Sequence, residues 1–190
     1  MNPESHFDLH ALGRRACLDL ESVFEQVDPG QMEVLAQEII TARRIVCYGA
    51  GREGLMMQAI AMRLMHAGFQ SYVVGEMVTP RVGPGDLFLA SAGPGHFPTI
   101  ETLLKVARAA GGRTVVVTAQ PAQASEMPVH ILIRLPGQTM ADVAAGSSIL
   151  TMGTHYETAL LLFGDFLVLR LLELTHQKRE DMYTRYTNMK

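Results

Sequence analysis

Two glycine-rich stretches of this chain contain the residue types needed to bind an anionic ligand. Residues 49–54 read Gly-Ala-Gly-Arg-Glu-Gly, and residues 91–96 read Ser-Ala-Gly-Pro-Gly-His. Glycine lets the backbone approach an anion closely, and the free N–H groups at the start of a helix attract phosphate. Arg52 adds a guanidinium that can donate two hydrogen bonds to a phosphate or sugar oxygen. The pattern predicts a binding site for a phosphate group or a sugar.

The same glycines have other interpretations. Residues 49–54 also fit the GxGxxG pattern of dinucleotide-binding turns, and Glu76 is available as the acidic residue that a bound ribose requires. That pattern is weak when it stands alone. The glycines can also serve only to form tight turns between strands and helices.

Histidine and glutamate residues near predicted helix starts are candidates for contacting a ligand. His96 lies in the second glycine-rich stretch, just before a predicted helix, while His155 and Glu157 lie at the start of the last long predicted helix. Residues two apart on a helix point in different directions, so His155 and Glu157 cannot both reach one ligand atom. Glu157 also fits an ordinary role, because a carboxylate in a first helical turn complements the helix dipole.

The elements that must position these residues alternate between strands and helices. Short apolar runs predict buried strands, and apolar residues repeated every three or four positions predict amphipathic helices. The predicted strands are 45–48, 71–74, 86–90, 114–118 and 129–135, and the predicted helices are 9–27, 32–42, 53–67, 98–110 and 154–176. Strands that are apolar on both faces indicate a parallel sheet covered on both sides. We therefore expect an α/β fold, a three-layer α/β/α sandwich preceded by two helices, with ligands bound beyond the carboxyl ends of the strands.

Length and charge limit the domain organisation and the partners. The 190 residues fit one domain, in which 1–43 are the N-terminal helices, 44–135 the core strands and helices, and 150–190 the C-terminal helix and tail. The net charge of −3, with scattered charges, argues against nucleic acid or an anionic membrane as a partner. Because the N-terminus does not read as a signal peptide, we expect a cytoplasmic protein.

The cysteines and the most apolar segment support that location and indicate self-association. Cys17 and Cys47 lie outside any CxxC or Cys/His cluster, which fits two buried thiols in a reducing compartment and no zinc site. Residues 159–174 are apolar but interrupted by charges, which favours a buried helix over a membrane span. One small domain cannot bury the whole circumference of such a helix. We therefore expect a homodimer or homotetramer, with helix 9–27 as a second candidate interface.

These motifs resemble the sugar isomerase (SIS) domain family, and within it the 6-phospho-3-hexuloisomerases. The resemblance is dense over residues 49–52 and 61–69, continues through 72–76, 79–80 and 85–87, and is weaker over 155–159 and 185–188. It implies a five-stranded parallel sheet of the flavodoxin-like type, assembly into dimers or tetramers, and phosphosugar binding at subunit boundaries. It also implies isomerisation of a phosphorylated hexulose to fructose 6-phosphate through an enediolate, without a metal or another cofactor.

The resemblance also implies the roles of individual residues. Glu157 would be the catalytic base, with His155 as a second catalytic candidate. The substrate-binding residues would be Gly49, Gly51, Arg52, Glu53, Ser91, Gly93, Gly95, His96 and Thr99. In the tail, Tyr186 stands where the family has a histidine proposed to take part in catalysis.

Two departures from the family pattern leave the activity open. The hydroxyl residues of the family's phosphate loop are replaced here by Ala92, Pro94 and Phe97, and Glu53 stands where the family has serine. A carboxylate at that position would repel phosphate unless it turns away or is paired. Three hypotheses follow: an isomerase for an unusual phosphosugar, a binding module that senses a sugar phosphate, or a protein for an unphosphorylated or cationic ligand.

Overall fold

The computed structural model describes residues 7–142 and 148–189. Its strands are β1 (Arg44–Gly49), β2 (Ser71–Val73), β3 (Asp86–Ser91), β4 (Arg113–Thr118) and β5 (Ile131–Arg134). Its helices are α1 (Leu9–Phe24), α2 (Pro29–Thr41), α3 (Gly51–His66), α4 (Pro98–Ala109), α5 (Pro121–Ala124), α6 (Thr154–Leu174) and α7 (Arg179–Tyr183).

The five strands form one parallel sheet in the order β2-β1-β3-β4-β5, which confirms the predicted α/β class. Neighbouring strands are aligned so that apolar side chains alternate between two cores. Ile45 of β1 pairs with Leu87 of β3 on one face, and the next pair, Val46 and Phe88, lies on the other. The first core is covered by α1, α2, α3 and α6, and the second by α4 and α5. Burial on both faces explains why these strands read as unbroken apolar runs.

The turn from β1 into α3 depends on its glycines. A Cβ atom on Gly49 would lie 2.8 Å from the backbone of Glu53, and a Cβ on Gly54 would lie 2.6 Å from the Gly49 carbonyl oxygen. Gly51 has a φ of +57°, in the left-handed region that favours glycine. The turn therefore brings the first residues of α3 directly beside the end of β1.

The prediction missed two short helices and misplaced some boundaries. The helices α5 and α7 are too short to show a periodic apolar stripe, and the helix predicted over 9–27 ends at Phe24. The Gly-, Ser- and Ala-rich composition of residues 135–148 predicts a loop. Residues 135–142 lie outside helices and strands, and 143–147 lie outside the described residues.

The expectation of two buried thiols is wrong for one cysteine. Cys47 is fully buried in β1, and burial raises the pKa of its thiol to about 12. Cys17 is exposed on α1, because the apolar stripe of that helix turns a different side toward α6. Within the described residues, no helix is long and apolar enough to cross a membrane.

Candidate functional site

A cavity of about 170 Å³ opens at the carboxyl ends of the strands, between the starts of α3, α4 and α6. Its lining residues are Ala50, Gly51, Arg52, Glu53, Phe97, Thr139, Met140, Gly153, Tyr156 and Glu157. Larger grooves of about 460 to 690 Å³ lie elsewhere on the surface and are lined mainly by apolar side chains. We take the smaller cavity as the candidate site, because it lies where parallel α/β sheets bind ligands and contains paired ionisable groups.

Glu53 lies at the floor of this cavity and is almost fully buried, with 6% of its surface exposed. Its Oε2 atom lies 2.5 Å from Ser91 Oγ and 2.9 Å from the Gly93 amide nitrogen, which donates to it. Burial raises the pKa of Glu53, and the nearby Glu157 carboxylate raises it further, against the opposing effect of these hydrogen bonds. Glu53 is thus paired within the protein and is not turned away from the second glycine-rich stretch.

The Glu53 carboxyl group begins a line of hydrogen bonds that ends on the backbone of β4. Ser91 Oγ lies 3.0 Å from the Tyr156 hydroxyl oxygen, and the Tyr156 hydroxyl donates to the Val117 carbonyl oxygen over 3.0 Å. Ser91 Oγ is the donor in its contact with Glu53 Oε2. Burial also raises the pKa of Tyr156, so its hydroxyl stays protonated.

Glu157 occupies the first turn of α6 and pairs with Arg52 across the cavity. Arg52 Nε lies 3.2 Å from Glu157 Oε2, and Arg52 also donates to Thr154 Oγ1 over 3.0 Å. The contact with Glu157 is not aligned as a hydrogen bond. The buried Oε2 atom therefore has no hydrogen-bond partner among the described residues. A carboxylate in this state is available to accept a proton or a hydroxyl hydrogen bond from a ligand.

His155 lies away from the cavity, as its spacing from Glu157 predicts. It is 3% exposed, and its Nε2 atom lies 3.0 Å from the Asp19 carbonyl oxygen of α1. Its Nδ1 atom accepts the Gln138 backbone N–H over 3.2 Å. Both ring nitrogens are thus used to join three parts of the chain.

The second glycine-rich stretch contributes Gly93 but not its histidine. A Cβ on Gly93 would lie 2.8 Å from Glu53 Oε1 and from the Tyr156 ring, so this position accepts only glycine without rearrangement. Gly95 has a φ of +98° and packs against Gln120 and Gln123. His96 is half-exposed and pairs with Glu101 at 3.1 Å, and Thr99 is exposed on α4. Neither His96 nor Thr99 lines the cavity.

Sequence reasoning missed several lining residues. Phe97, which stands at a hydroxyl position of the family's phosphate loop, closes one side of the cavity. Tyr156 lies between His155 and Glu157 in the family-like stretch 155–159, and no feature of the sequence singles it out. Thr139 and Met140 lie in a loop without periodicity, so no local signal could place them here.

Residues 185–188, which resemble the family near its C-terminus, lie at the opposite end of α3 from the cavity. Arg185 donates to the His66 carbonyl oxygen at the C-terminus of α3 over 2.9 Å, whereas the cavity lies at the N-terminus of α3. A helix of 16 residues spans roughly 24 Å. Among the described residues, no group of three or more His, Cys, Asp or Glu side chains could hold a metal ion.

The parallel sheet and the strand-end cavity define a class of α/β protein, and comparison with known proteins names it. The SIS domain family model matches residues 38–162, so this chain belongs to the SIS domain family. Within it, the chain is related to proteins named 3-hexulose-6-phosphate isomerase. It is 35% identical to one from Bacillus subtilis over 161 residues, covering 84% of this chain and 86% of the relative.

Two further relatives agree with this grouping. The chain is 30% identical to the 3-hexulose-6-phosphate isomerase of Mycobacterium gastri, covering 86% of this chain and 82% of that protein. The crystal structure of a hypothetical protein from Methanococcus jannaschii superimposes with a TM-score of 0.78 at 26% identity, covering 95% of this chain and 98% of the other. Its published description infers a function of 3-hexulose-6-phosphate isomerase.

Proposed function

We propose that this protein is a phosphosugar isomerase that interconverts a phosphorylated hexulose and fructose 6-phosphate through an enediolate. One observation carries the proposal: Glu157, in the lining of the cavity, has a buried oxygen without a hydrogen-bond partner among the described residues. A proton-carrying base needs an oxygen that no hydrogen bond occupies, and Arg52 contacts this one only as an ion pair. The relatives named 3-hexulose-6-phosphate isomerase supply the reaction class.

In the proposed reaction, Glu157 removes the C–H proton from the hydroxyl-bearing carbon next to the ketone. The electron pair of that bond forms the carbon–carbon double bond of the enediolate, and the former carbonyl oxygen takes up the negative charge. Arg52, 3.2 Å from Glu157, stabilises the developing charge. The hydroxyl proton of the carbon that lost its hydrogen passes to the oxyanion on the neighbouring carbon. Glu157 then returns the C–H proton to that neighbouring carbon, and the ketone re-forms on the first carbon. His155 contributes as a positioning residue that fixes the start of α6.

The competing hypothesis is a binding module that senses a sugar phosphate without converting it. The internal pairing of Glu53 supports this hypothesis, because it occupies hydrogen-bond donors near the place where a substrate would lie. Both hypotheses require the same cavity, but only the isomerase requires a base.

The deciding experiment is turnover of hexulose 6-phosphate by the wild type and by Glu157→Gln. We expect kcat to fall by about 10²- to 10⁴-fold in the variant, since an amide cannot accept the proton. Glu173→Gln, which changes an exposed carboxylate on the same helix, is the matched control and should keep wild-type kcat. Binding of the sugar phosphate with no turnover by the wild type would establish the sensor instead.

Assembly, cellular location and partners are also part of the proposed function. We infer a homodimer or homotetramer in the cytoplasm that binds a sugar phosphate and needs no cofactor, metal, nucleic acid or membrane. The exposed apolar side chains of α1 and α6 support the inferred assembly.

A further inference from the structure

The loop after β3 has few hydrogen-bond donors left for a ligand. The Ala92 N–H donates to the Val117 carbonyl oxygen over 2.9 Å, and the Gly95 N–H donates to the Ala92 carbonyl oxygen over 2.8 Å. Pro94 has no N–H. From residue 92 to residue 95, only the Gly93 N–H points to something other than a backbone carbonyl, and it is bonded to Glu53.

Ser91 Oγ and the Gly93 N–H converge on one point, which we call the anion seat. Glu53 Oε2 occupies this seat, 2.5 Å from Ser91 Oγ and 2.9 Å from the Gly93 nitrogen. Two donors that meet on one buried oxygen are the arrangement with which proteins bind carboxylate or phosphate oxygens. Here the protein supplies that oxygen itself.

The position of Glu53 in the fold holds it in the seat. It lies in the first turn of α3, which follows β1 directly, and β1 is hydrogen-bonded to β3. The missing side chain at Gly93 leaves the space that the carboxyl group fills, since a Cβ there would lie 2.8 Å from Glu53 Oε1. With 6% of its surface exposed, Glu53 is packed in place and is not a mobile surface acid.

We propose that Glu53 is a specificity-determining residue that fills the anion seat, so that the cavity excludes a phosphoryl group there and receives a hydroxyl-bearing part of the ligand instead. This rests on the proposed function only in taking the ligand to be a sugar. Glu53 and Glu157 both line the cavity, and carboxyl oxygens accept hydrogen bonds from hydroxyl groups. The phosphate of a phosphosugar then lies near Arg52, whose side chain is 59% exposed.

The test uses inorganic phosphate as the probe and measures its affinity by calorimetry for the wild type, Glu53→Ser and Glu53→Gln. Serine opens the seat, and we expect phosphate to bind about tenfold tighter or more than to the wild type. Glutamine removes the charge but still fills the anion seat, so the phosphate affinity of Glu53→Gln should increase much less. Glu25→Ser removes an exposed carboxylate at the end of α1 and controls for net charge.

Adding Ser91→Ala to the Glu53→Ser variant tests whether the extra phosphate binds in the anion seat. We expect this second substitution to cancel the increase in phosphate affinity. A folded Glu53→Ser variant that binds phosphate no better than the wild type overturns the proposal. An equal gain in Glu53→Gln does so as well, because charge alone would then explain the effect. Circular dichroism verifies that each variant is folded.

Ser91→Ala in the wild-type background provides a test that does not require a stable Glu53 variant. We expect this variant to bind phosphate as well as the wild type does, because Ser91 Oγ in the wild type already donates to Glu53. A fivefold or larger loss would show that phosphate reaches the seat in the wild type, and the proposal would be wrong. Neither phosphate measurement depends on turnover, so an inactive protein would refute the isomerase and leave this inference standing.

Discussion

Glu53 and Glu157 line the same cavity in different surroundings. Glu53 is buried among Ser91, Gly93 and Tyr156, whereas Glu157 is paired with a partly exposed arginine. Burial raises the pKa of Glu53, whereas an arginine faces Glu157 across the cavity. The difference in burial and in partners arises from residues that are distant in sequence. It determines which contacts each carboxyl group can offer to a ligand.

The raised pKa of Glu53 predicts a pH dependence of stability. Burial, with a smaller effect of Glu157, raises this pKa above its ordinary value of 4.5, so ionising Glu53 costs more in the folded chain than in the unfolded chain. Its contribution to stability is fully present below about pH 4.5 and is lost as the pH rises through the folded-state pKa. Glu53→Gln cannot ionise, so its free energy of unfolding should improve relative to the wild type as the pH rises.

Urea unfolding of both proteins between about pH 4 and pH 8 measures this difference. Glu25→Gln, at an exposed carboxylate, serves as the control. Parallel pH profiles of the wild type and Glu53→Gln would contradict a raised pKa.

At the level of elements, the start of α6 is fixed by contacts with distant parts of the chain. His155 joins α6 to the Asp19 carbonyl oxygen of α1 and to the Gln138 backbone N–H. Tyr156 contacts the end of β3 through Ser91 and the end of β4 through Val117. Glu157 therefore enters the cavity from a helix end that is held on both sides.

Replacing His155 tests whether it positions α6 or takes part in the reaction. His155→Phe keeps an aromatic ring but removes both hydrogen bonds of the imidazole, one with the Asp19 carbonyl oxygen and one with the Gln138 N–H. We expect it to lower the free energy of unfolding by about 2 to 4 kcal/mol, at about 1–2 kcal/mol for each lost hydrogen bond. Thermal and urea unfolding measure the loss, and His10→Phe on the exposed side of α1 is the control.

The same variant gives a second readout in turnover. A positioning role predicts that kcat falls less than in Glu157→Gln, because the base itself is retained. A stable His155→Phe protein with kcat as low as that of Glu157→Gln would instead make His155 a catalytic residue.

At the level of the whole molecule, the apolar surface is concentrated on the layer that contains α1 and α6. Leu9 and Leu18 of α1 are 66% and 59% exposed, and Phe166 and Leu169 of α6 are 43% and 39% exposed. The two helices pack together, and the rings of Phe24 and Phe166 meet edge to face with centroids 5.1 Å apart. Neighbouring apolar surface of this kind is typical of an interface between subunits.

We predict that the wild type sediments as a dimer or tetramer and that Leu18→Glu yields smaller species, because a buried unpaired charge is costly in an apolar interface. Analytical ultracentrifugation measures both. Val106→Glu, at a residue 62% exposed on α4 in the opposite layer, is the matched control. A monomeric wild type would refute the predicted assembly, and dissociation caused only by Val106→Glu would move the interface to the other layer.

The sequence alone determined the fold class and the end of the sheet where the site lies. Apolar runs in β1, β3 and β4 show burial on both faces, and glycines mark the turns that follow β1 and β3. These signals are local, because each depends on residues close together in the chain. They were sufficient to predict the parallel sheet and to direct attention to Arg52, Glu53, Gly93 and Glu157.

Only the tertiary structure decided how those residues are used. The parallel register brings β1 beside β3, so that Glu53 reaches a loop 40 residues later in the chain. Because of the helical geometry and the contacts of α6, His155 contacts α1 and Glu157 lines the cavity. Hydrogen bonds and burial between residues far apart in sequence produce these outcomes, and no local pattern encodes them.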